Sequence, residues 1–139
     1  MNPTDSLPLL GPAPLDTPIA WQRGRWITRA EFLTQVARLA EHLPDMGQAL
    51  ILCADRYRFM VAFGAVLLRK QSALLPPSLA PRVLEEIGAK HRAYRIDDAR
   101  VEAAAIGLAG DTLRVPQIAA DHIAAVLFTS GSTGHPKPQ

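Results

Sequence analysis

The sequence predicts an α/β fold, in which a layered, mostly parallel sheet is flanked by helices. Three observations carry this prediction. Short apolar runs alternate with longer segments of helical period along the chain. The runs are apolar at most positions, which is the pattern of strands covered on both faces. A length of 139 residues suits a single domain that is large enough to bury a core.

The composition is that of an ordinary globular protein, with 48% hydrophobic and 20% charged residues. The net charge of +2 is small and the basic residues are dispersed, which gives no electrostatic case for nucleic acid or an anionic membrane. No segment approaches the roughly 18 consecutive apolar residues of a membrane span, and no signal peptide is evident. We therefore expect a cytoplasmic protein without a membrane span.

Few side chains suggest metal binding or nucleophilic chemistry. The single cysteine, Cys53, excludes an internal disulfide, and its apolar neighbours in sequence predict a buried structural thiol. The histidines are scattered, without the spacing of metal ligands or of an acid–base pair. For the adjacent Asp97 and Asp98 we favour an exposed turn over a metal site. No catalytic residue and no metal ligand is therefore assigned.

The N-terminal part is predicted to be extended and then to form a hairpin. Residues 1–18 contain five prolines, a density that disfavours both helix and central strand. Residues 19–21 and 25–27 flank Gln22-Arg23-Gly24, which predicts a short hairpin with glycine in its turn.

A capping box predicts the start of the first helix. The Thr28 hydroxyl and the Glu31 carboxylate are spaced to satisfy the first helical N–H groups, and Pro44 closes the helix after about residue 43. The apolar residues expected on its core-facing side are Leu33, Val36, Ala37, Ala40 and Leu43.

The other predicted elements complete the alternation. Residues 48–54 form a strand, and residues 57–69 form a helix that is apolar almost all round and so largely buried. Pro81 lies in the first turn of a third helix that ends near Gly88. Further strands are predicted at 73–75, 92–96 and 123–128, with a possible strand at 113–115, a turn at 97–98 and a short helix or loop at 99–110.

The most informative segment is Phe128-Thr129-Ser130-Gly131-Ser132-Thr133-Gly134-His135-Pro136-Lys137, which follows the last apolar run. A phosphate group needs several N–H and O–H donors at close range together with a cation. Gly131 and Gly134 allow positive φ and close approach of the backbone, and Lys137 adds a mobile positive charge. The hydroxyl donors are Thr129, Ser130, Ser132 and Thr133. The segment therefore predicts a phosphate-binding loop.

Two other nucleotide loops do not fit this segment. The Walker loop, G-x-x-x-x-G-K-[ST], is absent, because the two glycines are three residues apart and the lysine comes three residues after the second. The dinucleotide fingerprint G-x-G-x-x-G is absent as well. A flexible Gly/Ser/Thr loop without a ligand is the remaining alternative. The ordered sequence behind an apolar strand favours phosphate binding over that alternative.

Residues 128–137 resemble the signature phosphate loop of the adenylate-forming enzymes, the family of acyl-CoA synthetases, luciferases and peptide-synthetase adenylation domains. The family pattern is roughly [FY]-T-S-G-[ST]-T-G-x-P-K, and this sequence meets it at every defined position. The next residue, Pro138, departs from the glycine or alanine that is usual there. Looser similarity extends upstream, to residues 26–32, 49–56 and 73–77.

The resemblance implies an ATP-dependent, AMP-forming acid–thiol ligase. Such an enzyme activates a carboxylic acid as an acyl-adenylate, releases pyrophosphate and passes the acyl group to CoA or an acyl carrier protein. The implied cofactors are ATP and Mg²⁺, with the β- and γ-phosphates wrapped by the loop and Lys137 offsetting the charge of pyrophosphate. The implied nucleotide-binding residues are Thr129, Ser130, Gly131, Ser132, Thr133, Gly134 and Lys137, and the implied magnesium ligand is not in this chain.

The resemblance also implies a domain organisation. Residues 1–18 are an extended proline-rich leader, and residues 19–139 are part of an N-terminal domain similar to that of acyl-CoA synthetases. Because enzymes of the family are several-fold longer, we expect an N-terminal fragment that does not adenylate acids alone. We also expect an exposed sheet edge through which it self-associates. The alternatives are a non-catalytic α/β module that binds nucleotides or anions, and a structural domain with an unoccupied loop.

Overall fold

The computed structural model describes residues 5–105, 114–130 and 136–138. Among these residues the chain forms nine strands and four helices. The strands are β1 (Ser6–Pro8), β2 (Pro18–Gln22), β3 (Arg25–Thr28), β4 (Gln48–Ile51), β5 (Ser72–Leu75), β6 (Tyr94–Ile96), β7 (Gln117–Ala119), β8 (Ala125–Ser130) and β9 (Pro136–Pro138). The helices are α1 (Arg29–Glu41), α2 (Arg56–Leu68), α3 (Pro81–His91) and α4 (Asp98–Ala105).

A five-stranded sheet with the order β6-β4-β5-β8-β9 forms the centre of the structure. Strands β4, β5, β6 and β8 run parallel, and β9 returns antiparallel to β8. Helix α2 connects β4 to β5, and α3 connects β5 to β6. The predicted α/β fold with a mostly parallel sheet is therefore confirmed. In the part of the chain that is described, no helix is long and apolar enough to cross a membrane.

The two faces of the sheet are covered differently. Successive side chains of a strand point to opposite faces, so Ala49 and Ile51 pack in one core and Leu50 in another. The larger core is built from α1, α2 and α4 against the sheet. The smaller core lies under α3, and its buried members among the described residues are Leu50, Leu74, Ile87 and Phe128.

The predicted hairpin and capping box are both confirmed. Strands β2 and β3 are antiparallel, with Gln22 opposite Arg25. The two turn residues, Arg23 and Gly24, have φ of 50° and 79°, as a two-residue turn of matching twist requires. At the start of α1 the Glu31 N–H donates to the Thr28 hydroxyl at 3.1 Å, and the Thr28 N–H donates to the Glu31 carboxylate at 3.3 Å.

The predicted core-facing side of α1 is wrong at one residue. Leu33, Val36 and Ala40 are buried as expected, whereas Ala37 is exposed. The buried stripe instead includes Phe32 and Leu39. The buried stripe through 32, 33, 36, 39 and 40 is rotated around the helix relative to the predicted one, so that Phe32 and Leu39, which are larger than Ala37, occupy it.

Several predicted boundaries are corrected. The strand expected at 48–54 ends at Ile51, and the helix expected to end near Gly88 continues to His91. Arg92 then takes a left-handed conformation with φ of 51°, so the chain stops α3 without a glycine. Residues 98–105 form α4, which resolves the helix-or-loop alternative as far as the described residues extend.

The possible strand at 113–115 is not observed where the structure describes the chain, because residues 114–116 are outside any strand. The strand lies slightly later, as β7, and pairs antiparallel with β1. This pairing ties the proline-rich leader to the chain just before β8. The leader also packs on the larger core through Leu9, Leu10 and Leu15.

Candidate functional site

The described part of the motif lies at the carboxyl end of β8 and in β9. Strand β8 runs beside β5, and β9 pairs back on it with Thr129 opposite Lys137 and Ser130 opposite Pro136. Residues 131–135 connect the two strands and lie outside the described residues. The predicted site residues Gly131, Ser132, Thr133 and Gly134 fall in that connection. The structure therefore brings the backbones of Thr129, Ser130 and Lys137 together at its base.

The two prolines of β9 occupy positions that suit an edge strand. In an antiparallel pair, alternate residues exchange N–H and C=O groups with the partner strand. Pro136 and Pro138 lack an N–H, so the exchanging pair is Thr129 and Lys137. The outer edge of β9 consequently offers no N–H at either proline. Pro138, which departs from the family pattern, thus extends the strand instead of redirecting the chain.

Phe128 anchors the strand that leads into the loop. Its side chain is 8% exposed and packs with Leu50, Leu74 and Ile87 under α3. The ring of His91, the last residue of α3, meets it edge-on with centroids 5.4 Å apart. Sequence reasoning assigned no role to His91. The next residue ends the helix in a left-handed conformation, which the sequence does not signal by a glycine. The helix therefore extends to His91, whose ring lies against that of Phe128.

The topology marks the carboxyl end of the sheet as the place for a ligand. The chain leaves β4 toward α2 on the face of the larger core, and leaves the neighbouring β5 toward α3 on the opposite face. A crevice forms where neighbouring parallel strands diverge in this way, and ligands of α/β proteins bind there. Strand β8 is next to β5, so the loop begins beside that crevice.

The acidic pair at 97–98 has a structural role that differs from the predicted exposed turn. The Asp98 carboxylate accepts the N–H groups of Ala54 and Asp55 at 2.9 and 3.2 Å, which fixes the loop after β4. These bonds, that from Ala54 first, lower the pKa of Asp98, and nearby Arg58 adds to the shift. Asp97 instead accepts the Arg100 N–H at 2.8 Å. The two carboxylates serve different backbone groups.

Two observations concern possible metal ligands and the single thiol. Among the residues that the structure describes, no group of three or more His, Cys, Asp or Glu is placed to hold a metal ion. Cys53 is half-buried, and burial is the largest cause that raises its pKa to about 12. The thiol therefore stays protonated at neutral pH, as suits a structural residue.

Comparisons with known proteins agree with this architecture. FR901469 synthetase of Dothideomycetidae sp. (strain 11243) is 32% identical over 138 residues, covering 80% of this chain and 1% of that protein. The Klebsiella oxytoca NpsA N-terminal subdomain, in complex with 3-hydroxybenzoyl-AMSN, has a TM-score of 0.62 at 20% identity, covering 84% of this chain and 34% of that one. O-succinylbenzoate coenzyme A synthetase (MenE) from Bacillus subtilis, in complex with ATP and magnesium ion, has a TM-score of 0.56 at 21% identity, covering 84% and 37%. No protein-family model matches the chain.

The chain shares the fold of the NpsA N-terminal subdomain and of the matching part of MenE, and the predicted likeness to the N-terminal domain of acyl-CoA synthetases is confirmed for the fold. The chain spans about a third of the length of the two solved chains, 34% and 37%, and 1% of the synthetase.

Proposed function

We propose that this chain carries the phosphate-binding part of an ATP-dependent, AMP-forming ligase. The parent enzyme activates a carboxylic acid as an acyl-adenylate and transfers the acyl group to CoA or a carrier protein. One observation carries the proposal: the motif at 128–137 spans β8, a five-residue connection and β9, at the carboxyl end of a parallel sheet. The likeness to a synthetase and to MenE, which was solved with ATP and magnesium, supports it.

The donor set of the loop suits a polyphosphate. Four hydroxyl residues and two glycines lie between Phe128 and Pro136, and Lys137 stands opposite Thr129 at the base of the connection. When bound, MgATP supplies the electrophilic α-phosphorus and the pyrophosphate leaving group. Thr129, Ser130 and the residues from Gly131 to Gly134 hold the β- and γ-phosphates, and Lys137 offsets their negative charge. We propose that this positioning is the contribution of the chain to the reaction.

We make three further proposals. The chain alone does not adenylate acids, and its magnesium ligand lies outside these residues. The protein works in the cytoplasm. ATP–pyrophosphate exchange by the purified chain should stay at background with any carboxylic acid offered. Turnover above background would contradict the inactivity, without bearing on phosphate binding.

Pyrophosphate binding tests the loop itself. The melting temperature of the chain should rise with pyrophosphate, because a ligand at 100 times its Kd stabilises the folded state by about 2.7 kcal/mol. Lys137→Ala should abolish most of this rise. Lys90→Ala is the matched control, since it removes the same charge from an exposed position on α3. Equal responses in the two variants would place the anion elsewhere, and no response in the unaltered chain would refute the phosphate site.

Self-association through a sheet edge remains a prediction, and both edges of the central sheet carry features that would oppose it. The prolines of β9 withhold donors at one edge. At the other edge, the Arg100 side chain donates to the Arg95 carbonyl of β6 at 2.9 Å. Sedimentation velocity over a concentration series tests the prediction. If β6 is the pairing edge, Arg100→Ala should promote association. The prediction of self-association would be contradicted if the unaltered chain and the Arg100→Ala variant both remained monomeric at all concentrations.

A further inference from the structure

A cavity lies on the face of the sheet that carries α1, α2 and α4, away from β8 and β9. Its volume is about 240 Å³, and it opens to solvent beside the β2–β3 hairpin. Part of the lining is buried and largely apolar, and consists of Ile27, Tyr57 and Val101. The part nearer solvent is charged, and consists of Arg23, Arg25, Arg58 and Glu102.

One carboxylate at the mouth of this cavity is shared by two arginines. Glu102 Oε1 accepts hydrogen bonds from the Nη2 groups of Arg23 and of Arg58. Glu102 is the one acidic side chain among the described lining residues. Arg58 also lies 3.7 Å from the Asp98 carboxylate. Two guanidinium groups from different elements, the hairpin and α2, thus converge on a single carboxylate of α4.

Breaking the ion pair between Glu102 and Arg23 costs little free energy. Its side chain is 47% exposed and that of Arg23 is 73% exposed, so the pair contributes about 0 to 1 kcal/mol in water. Arg58 differs, because its side chain is only 20% exposed. It lines the cavity, with Nη2 on Glu102 and Nη1 3.7 Å from Asp98, and a guanidinium group matches the planar geometry of a carboxylate. Another carboxylate can therefore take the place of Glu102 between the two arginines.

The buried part of the lining determines which kind of group can occupy the rest of the cavity. The Tyr57 hydroxyl donates to Gln35 Oε1 at 2.7 Å, so this buried polar group is satisfied without a ligand. What remains on the cavity floor is apolar surface. A cavity of about 150 Å³ holds benzene, so the larger volume here accommodates one ring together with its acid group.

We propose that this cavity binds a small monocarboxylate with an apolar body. The ligand carboxylate replaces that of Glu102 between Arg23 and Arg58, and the apolar body packs on Ile27, Tyr57 and Val101. Binding replaces one carboxylate by another between the two arginines and buries the apolar body of the ligand, without a covalent step. The site is independent of the phosphate loop.

Benzoate titration of the whole chain, followed by calorimetry and by the fluorescence of the hairpin tryptophans, tests the proposal. Glu102→Gln should tighten benzoate binding by about twofold to fivefold, because the competing carboxylate is gone. Arg58→Gln should weaken binding by about tenfold or more, because a charge-assisted bidentate contact is lost. Benzamide, which has the same ring without the charge, should not bind.

Glu86→Gln is the matched control. Glu86 also pairs with an arginine, Arg82 at 3.4 Å, and is similarly exposed, but it lies on α3 across the sheet. The control should bind benzoate as the unaltered chain does. The gain expected for Glu102→Gln keeps the test decisive even if Arg58→Gln fails to fold, since a misfolded variant does not bind more tightly.

Two results would overturn the proposal. One is benzoate binding that is absent, or that is unchanged or weaker in Glu102→Gln. The other is binding that benzamide shares or that Lys137→Ala abolishes, which would assign it to apolar contact or to the phosphate loop. Because pyrophosphate binding should persist in Glu102→Gln, failure here and failure of the ligase proposal are distinguishable.

Discussion

The two faces of the sheet bury very different amounts of apolar surface. Among the described residues, one face carries three helices over a core with 18 buried members, whereas the other carries α3 over four. The larger core contains side chains that no solvent reaches, such as Val36 and Leu39 of α1. The smaller core contains Phe128, which belongs to the strand that leads into the candidate site. The first face therefore supplies most of the stability, and the second supports the loop.

Truncating one buried side chain on each face should give the largest effects. We expect Leu39→Ala to lower the free energy of unfolding by about 4 kcal/mol and Ile87→Ala by about 2 to 3 kcal/mol. The first cavity is enclosed by three helices and the sheet, so it cannot collapse, whereas a single helix can settle over the second. Urea denaturation with a common m-value measures both. A larger loss at Ile87 would reverse the comparison.

Replacing one glycine by alanine on each face of the sheet tests how closely each face is packed. A Cβ at Gly64 in α2 would stand 2.9 Å from Val36 Cγ2, which is closer than carbon atoms approach. We expect Gly64→Ala to destabilise the fold by about 1 to 3 kcal/mol. At Gly88 in α3 the nearest atom, Leu50 Cδ1, would be 3.7 Å away, an ordinary contact. Gly88→Ala should therefore stabilise by up to about 1 kcal/mol. Melting temperatures that move in the same direction would refute this.

The contact between His91 and Phe128 should have a moderate effect that reaches the loop. The Nε2 atom of His91 is buried and has no hydrogen-bond partner among the residues that the structure describes. His91→Phe keeps an edge-on ring and removes that unsatisfied atom, so stability should be equal or higher. His91→Ala loses the ring pair and should cost about 1 kcal/mol. If His91 supports β8, pyrophosphate binding should weaken in the alanine variant and recover in the phenylalanine variant.

The smallest effect should come from Asp98, which ties α4 to the loop after β4 on the larger face. Its pKa is lowered in the folded state, so its contribution is present at neutral pH and is lost as the pH falls below about 4. Asp98→Asn should therefore reduce the melting temperature at pH 7, and its difference from the unaltered chain should be smaller at pH 3. Asp121→Asn, in an exposed turn, is the control. If the melting temperatures of Asp98→Asn and the unaltered chain differed equally at both pH values, ionisation of Asp98 would be excluded as the cause.

Local sequence signals predicted the elements whose determinants are local. The capping box at Thr28, the glycine turn at Gly24 and the proline start of α3 all depend on residues within one turn of each other. Errors arose where distant residues decide. Strand β7 forms because the leader pairs with it, and Asp98 is fixed by N–H groups from the loop after β4. Neither partner is visible in the sequence around those residues.

The sequence by itself determined the class of fold, and it alone carries the prediction of a phosphate-binding loop. Both follow from residue types at short spacing: apolar runs, helical periods, and glycines and hydroxyls ahead of a lysine. Only the tertiary structure decided how the faces divide the core and which side chains meet across it. It set Gly64 against Val36, placed His91 on Phe128, and brought Arg23, Arg58 and Glu102 to one cavity. The physical reason is that packing and charge pairing depend on distances in space between residues far apart along the chain.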